Sequence, residues 1–143
     1  MAKGETASGG AHVFPVRVYY EDTDAGGVVY HANYLRFAER ARTEMLREAG
    51  IGQTALWAEQ GLAFTVRRCE AEFIKPARLD DALEVHTSVL DARGARVEAL
   101  QVVKRAGDDI VRLKLEIACV DRQGKPARLP RNLSDAFAAS PHS

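Results

Sequence analysis

The sequence predicts an α+β fold of two layers, in which an antiparallel sheet of about five strands curls around one long helix. From about residue 33 an apolar stripe recurs at helical spacing; beyond residue 61 the apolar residues alternate with a period of two, and turn residues punctuate the alternating runs. A strand, a one-striped helix and a set of one-faced strands bury their apolar surfaces by packing against each other.

Residues 13–20 read as the first strand, with Val16, Val18 and Tyr20 on one side and Arg17 and Tyr19 on the other. Pro15 offers no N–H to a ladder, which suits an edge position. The helix follows, with Tyr34, Phe37, Ala38, Ala41, Met45 and Ala49 as its stripe, Asn33 as its N-cap and Gly50 just past its end. A shorter helical piece over residues 53–60 ends at Gly61 and is expected to turn Leu56 and Trp57 inward. Phe64 and Val66 alternate in one phase and Cys69, Ala71 and Phe73 in the other, so a β-bulge is expected at Arg67-Arg68. Strands around Leu83–Val89, residues 95–104 and residues 110–120 read as a meander; in the last of them Val111, Leu113, Leu115, Ile117 and Cys119 alternate with charged residues, leaving one face wet.

The 143 residues suffice for one ordinary domain, expected over residues 11–133 with flexible ends at 1–10 and 134–143. Lys+Arg and Asp+Glu are balanced at 20 each, which removes the broad positive field of a non-specific nucleic-acid binder. No apolar run approaches the ~20 residues of a membrane span, and the first residues lack a signal-peptide core, so no membrane insertion and a cytoplasmic location are expected. Cys69 and Cys119 stand far apart in alternating segments and read as buried, inert thiols. Open sheet edges make at least a dimer the expected assembly.

Chemistry concentrates in YYEDTDAGGVVYHANYLRFAERART, residues 19–43. Asp24 precedes Ala25-Gly26-Gly27, and a helix opens a few residues later, so a carboxylate and free backbone N–H groups converge on one place. That pairing suits acyl transfer. Gly26 and Gly27 let the backbone turn and approach a substrate closely; an ordinary turn is the competing reading. His31 is either a proton donor and hydrogen-bonding group or simply a capping or packing residue at the helix start.

This stretch resembles the opening motif of hotdog-fold acyl-CoA thioesterases of the 4-hydroxybenzoyl-CoA thioesterase family. It is most similar to the bacterial subgroup associated with the Tol-Pal envelope system, which FIKPARLDDALEV also resembles. The resemblance implies a homodimer or homotetramer with active sites between subunits, no metal or other cofactor, and an acyl-CoA substrate. It places the family's essential aspartate on Asp24 and makes Tyr20 and His31 site-lining. Asp24 would attack the thioester carbonyl or activate a water, while N–H groups around His31 and Ala32, with Val28 beside them, hold the developing oxyanion. One such donor is typically worth ~2.7–4 kcal/mol of barrier. Arg67, Arg68, Lys75, Arg78, Arg128 and Arg131 are candidates for the phosphates of coenzyme A, against an ordinary role as solvated surface.

Glu39 and Glu44 are rival acids, because other hotdog thioesterases place theirs on the central helix. Hotdog dehydratases are disfavoured, since the proline-rich and Asp-x-Asn-Pro patterns are missing. The leading alternative is a docking module for acyl carrier protein or lipid-synthesis enzymes through a basic face. Short to medium aliphatic acyl groups are expected, with Leu56, Trp57, Phe64 and Val66 setting pocket depth.

Overall fold

The computed structural model describes residues 11–133, so the expectation for the two ends lies outside the described residues. Five strands form one antiparallel sheet in the order β1-β3-β4-β5-β2: β1 is His12–Arg17, β2 Ala63–Phe73, β3 Ala82–Arg93, β4 Arg96–Arg105 and β5 Asp108–Val120. Helix α1, His31–Glu48, packs on β1, β3 and β4, and α2, Gln53–Gln60, follows it. The α+β expectation holds, and β1 is an edge strand, where the missing N–H of Pro15 removes no ladder bond needed by a second neighbour.

The meander of β3, β4 and β5 forms as the turn residues suggest, whereas β2 crosses to the far side and pairs with β5. Its register shifts between Val66 and Arg68, leaving Arg67 unpaired at the expected bulge. The bulge keeps the apolar phase inward: Val66 lies opposite Ile117 and Cys69 opposite Leu115.

Tyr34, Phe37, Ala38, Ala41 and Leu46 of α1 are buried against Leu83, Val85, Val103, Val111 and Leu113 of the sheet. Leu46 rather than Ala49 continues the stripe, because the chain turns at Ala49 and leaves that residue exposed. The helix also begins earlier than its polar residues suggest. Tyr30 is the N-cap, and Asn33 lies inside the first turn with its Nδ2 donating to Asp22 Oδ1 at 2.8 Å. A buried polar group crosses the core at Gln101, whose Nε2 donates to the Ala38 carbonyl and to Thr87 Oγ1, both at 2.9 Å. Its Oε1 accepts from Arg42 Nη1 at 2.9 Å, so burial is matched by partners.

Leu56 is buried as expected, but Trp57 is not; it lies exposed beneath the Arg122 guanidinium, 4.9 Å from the ring centroid. The same arginine covers Gly61, which ends α2 at φ +66°; a Cβ there would stand 2.6 Å from Arg122 Nε. Gly61→Ala combines left-handed strain with displacement of Arg122, and a loss of about 1–2 kcal/mol in denaturant unfolding is expected. Cys119 is buried, but Cys69 is exposed because β2 is the other edge of the sheet, with no strand beyond it among the described residues. Burial pushes both thiols above their ordinary range; Arg42 only partly offsets this at Cys69. Among the described residues no helix is long and apolar enough to cross a membrane.

Candidate active site

After β1 the chain leaves the sheet. Val18 still pairs with the loop before β3, its N–H on the Asp81 carbonyl and its carbonyl on the Asp80 N–H, both at 3.0 Å. Then a 3-10 turn, Tyr20–Asp22, redirects it. Tyr20 therefore does not extend the inward row of Val16 and Val18; its side chain is 82% exposed and borders none of the described cavities. Asp22 is buried, and it fastens the turn to the helix. Its Oδ2 accepts the Tyr19 N–H at 2.8 Å, its Oδ1 accepts from Asn33, and its carbonyl accepts the Tyr30 N–H at 3.0 Å.

Asp24 opens a tight turn. Its N–H donates to the Val28 carbonyl at 2.8 Å, and its carbonyl accepts the Gly27 N–H at 3.0 Å. Gly27 takes φ +81°, a conformation that favours glycine. Gly26 passes so close that a Cβ would stand 3.3 Å from Asp24 Oδ1. That oxygen accepts the Gly26 N–H at 2.8 Å and reaches the Val28 N–H at 3.4 Å. Asp24 Oδ2 has no partner among the described residues, and the side chain is exposed. One carboxylate oxygen is anchored while the other is open.

Val28 borders a cleft of about 200 Å³ at the start of α1, lined also by Val29, His31, Tyr34, Phe73, Ile74, Lys75 and Pro76. The His31 ring lies against Phe73, centroids 4.5 Å apart, so the end of β2 fixes the imidazole at the cleft wall. No side chain caps α1, and of its first three N–H groups only that of Asn33 has a backbone acceptor among the described residues, Tyr30 at 2.8 Å. The His31 and Ala32 N–H groups are thus left over at the positive end of the helix.

The cations divide. Lys75 lines the cleft and pairs with Asp108 at 3.8 Å. Arg78 faces Val28 across an isolated antiparallel bridge. Arg67 lies on β2 six residues from Phe73, about 20 Å away along the strand. Arg68 pairs with Glu70 at 2.9 Å, and Arg128 and Arg131 are exposed near the end of the described chain. Glu39 and Glu44 lie further along α1 and border other cavities.

A second, narrower cavity of about 90 Å³ runs beneath the later turns of α1. Phe64, Val66, Val89, Val97 and Ile117 form its apolar side; Leu56 and Trp57 do not line it. Arg42 borders it, and burial holds its guanidinium below the usual range.

Sequence reasoning missed the loop before β3. Tyr34, buried in the core, accepts the Ala77 N–H on its hydroxyl at 3.0 Å, and Ala77 in turn accepts the Val29 N–H at 2.8 Å. Burial raises the Tyr34 phenol, so it remains protonated at neutral pH. Tyr34→Phe leaves the Ala77 N–H without its acceptor, and a loss of about 1–3 kcal/mol is expected in chemical denaturation.

Comparison with known proteins bears on this geometry. The family model of the Thioesterase-like superfamily matches residues 18–137. The acyl-CoA thioester hydrolase YbgC of Escherichia coli O6:H1 is 48% identical over 126 residues, covering 87% of this chain and 93% of that protein. The acyl-CoA thioesterase YbgC of Haemophilus influenzae is 47% identical over 125 residues, with coverages of 87% and 92%. A crystal structure of a probable thioesterase from Bartonella henselae is 42% identical, superimposes with a TM-score of 0.80, and covers 84% of this chain and 99% of that one. Sequence, sheet topology and helix placement thus agree, and the chain belongs to the Thioesterase-like superfamily as a hotdog-fold thioester hydrolase.

Proposed function

We propose that the chain hydrolyses short- to medium-chain acyl-CoA to the free acid and coenzyme A, with Asp24 as the reacting carboxylate. The observation that carries this reading is the two-sided Asp24. Oδ1 is held by the Gly26 and Val28 N–H groups, Oδ2 is open, and Val28 itself borders the cleft shared with His31. The carbonyl oxygen of the thioester sits at the His31 and Ala32 N–H groups, where the helix dipole and two free donors stabilise negative charge. Oδ2 then either removes a proton from an attacking water or attacks the carbonyl itself, giving a mixed anhydride that water cleaves. In both routes the C–S bond breaks, the acid retains the acyl carbon, and the thiolate leaves to be protonated, a role assigned to His31 at the cleft wall.

Lys75 and Arg78 flank this cleft and are assigned to the phosphates of coenzyme A. Arg67 joins them through a second subunit, whose β2 edge would lie against this one. Tyr20, exposed on its turn, is placed at the same junction. The cavity lined by Phe64 and Val66 is the acyl pocket, and its apolar side suits an aliphatic chain. Placement in the Tol-Pal-associated subgroup, a cytoplasmic location and a dimer or tetramer belong to the same proposal; they rest on the two motifs and on the bare edge of β2.

Steady-state release of coenzyme A from a panel of acyl-CoA thioesters is the test. Turnover is expected to peak at short or medium chains and to shift to shorter ones in Val66→Trp, which fills the cavity. Light scattering is expected to give an even multiple of the 15.7 kDa chain mass. Inactivity across the whole panel would transfer the assignment to docking of acyl carrier protein or lipid-synthesis enzymes.

A further inference from the structure

The Asp24 turn is closed by its own hydrogen bonds and is laid as a unit against residues 76–81. Ala77 accepts the Val29 N–H, and Arg78 bridges Val28. Those residues are themselves irregular, with Asp80 at φ +70°, an unusual conformation for a side-chain-bearing residue. Val18 and Tyr34 hold two points of this loop; its two ends, Pro76 and Asp81, are tied together by Arg105, at the end of β4. One nitrogen, Nη1, donates to the Pro76 carbonyl at 3.0 Å and to Asp81 Oδ2 at 2.8 Å. The same Asp81 oxygen accepts the Arg78 N–H at 2.8 Å. Burial pushes the Asp81 carboxyl up, but the Arg78 N–H and the Arg105 bond and charge together outweigh it and leave the group below its ordinary range. The Asp81 carboxylate is therefore ionised at neutral pH.

We propose that Arg105 is a positioning residue for the hydrolysis: its clamp on Pro76 and Asp81 fixes Arg78, Arg78 fixes Val28, and Val28 aligns the Asp24 carboxylate. The inference rests on the reading of Asp24 given above. Arg105 lines neither the cleft nor the second cavity, so it touches no substrate there and acts only through the bridge. The Val28 end of that bridge bears on the carboxylate turn twice, since Val28 meets Asp24 through its carbonyl at 2.8 Å and through its N–H at 3.4 Å. A shift of about 1 Å at a reacting group commonly costs up to about a hundredfold in rate, which sets the scale of the effect.

The test is a double-mutant cycle in the full chain, read with the best acyl-CoA of the panel. Arg105→Met keeps the apolar stem and removes the donors. It is expected to lower kcat by about tenfold to a hundredfold with KM within about threefold, and Arg105→Lys to recover most of the loss. In an Asp24→Asn background, Arg105→Met is expected to cause no further fall, since the group being aligned is already gone. A kcat for Arg105→Met within about twofold of wild type, or an equal fall with and without Asp24, overturns the proposal. If the methionine variant fails to fold, Asp81→Asn decides: it keeps an acceptor for the Arg78 N–H but loses the ion pair, and an unchanged kcat overturns the clamp. Full kcat in Asp24→Asn alone would instead remove the reading of Asp24, and the positioning role with it.

Discussion

Asp24→Asn is expected to lower kcat for thioester hydrolysis by about a hundredfold to ten-thousandfold, the range that a positioned general base supplies. The substitution is suited to the question because the asparagine oxygen still accepts the Gly26 and Val28 N–H groups that Oδ1 holds now. The turn survives, and unfolding free energy should change by no more than about 0.5 kcal/mol, as at other exposed positions. What disappears is the basicity and nucleophilicity of the open oxygen. Single-turnover hydrolysis in ¹⁸O-labelled water separates the two routes. Label incorporated into the Asp24 side chain marks an anhydride cleaved at the aspartyl carbonyl, and label found only in the released acid marks water attack at the acyl carbon. Wild-type kcat in the asparagine variant would remove Asp24 from the chemistry altogether.

Phe37→Ala carries the largest expected effect on stability, about 3–5 kcal/mol, because the ring is fully buried and its removal leaves a cavity between α1 and the sheet. That is a large share of the roughly 5–15 kcal/mol that keeps a domain of this kind folded. A fall in Tm of at least about 10 °C is expected by calorimetry. The damage reaches the cleft as well. Phe37 meets the Tyr34 ring edge-on at 6.1 Å, and Tyr34 holds the Ala77 N–H, so loosening one ring loosens the loop that supports Val29. A loss below about 1 kcal/mol would show that the space collapses without penalty.

Much of this was legible in the chain because it is local. The period of two in β5, the residues between consecutive strands and the phase change at Arg67 are each written within a dozen residues, and the sheet follows them. Pro15 marked an edge for the same reason, by what a single residue lacks. Pairings between distant segments were not legible: β2 lies against β5, and Val28 against Arg78, by register that no short window contains. The burial of Asp22 was not legible, because carboxylates are ordinarily solvated; the Tyr19 N–H and Asn33 Nδ2 make it tolerable, and Asn33, read as a cap, serves there instead. Tyr20 misled because alternation continues through it although the chain has already turned. Of the site, Val28 and His31 line one cleft at the start of α1, Asp24 and the glycines connect to it through the turn to Val28, and Arg67 stands well apart along β2.

The surplus residue in β2 separates two properties that usually travel together. Arg67 occupies no rung of the ladder, so deleting it would leave Phe64, Val66, Cys69, Ala71 and Phe73 on the faces they occupy now. Yet the strand would straighten, since its bend comes from the extra residue. The imidazole that leans on Phe73 would lose its backstop without any inward side chain having changed sides. The direction in which β2 runs on toward the cleft is thus encoded by one arginine's peptide unit, independently of the hydrophobic code that folds the sheet.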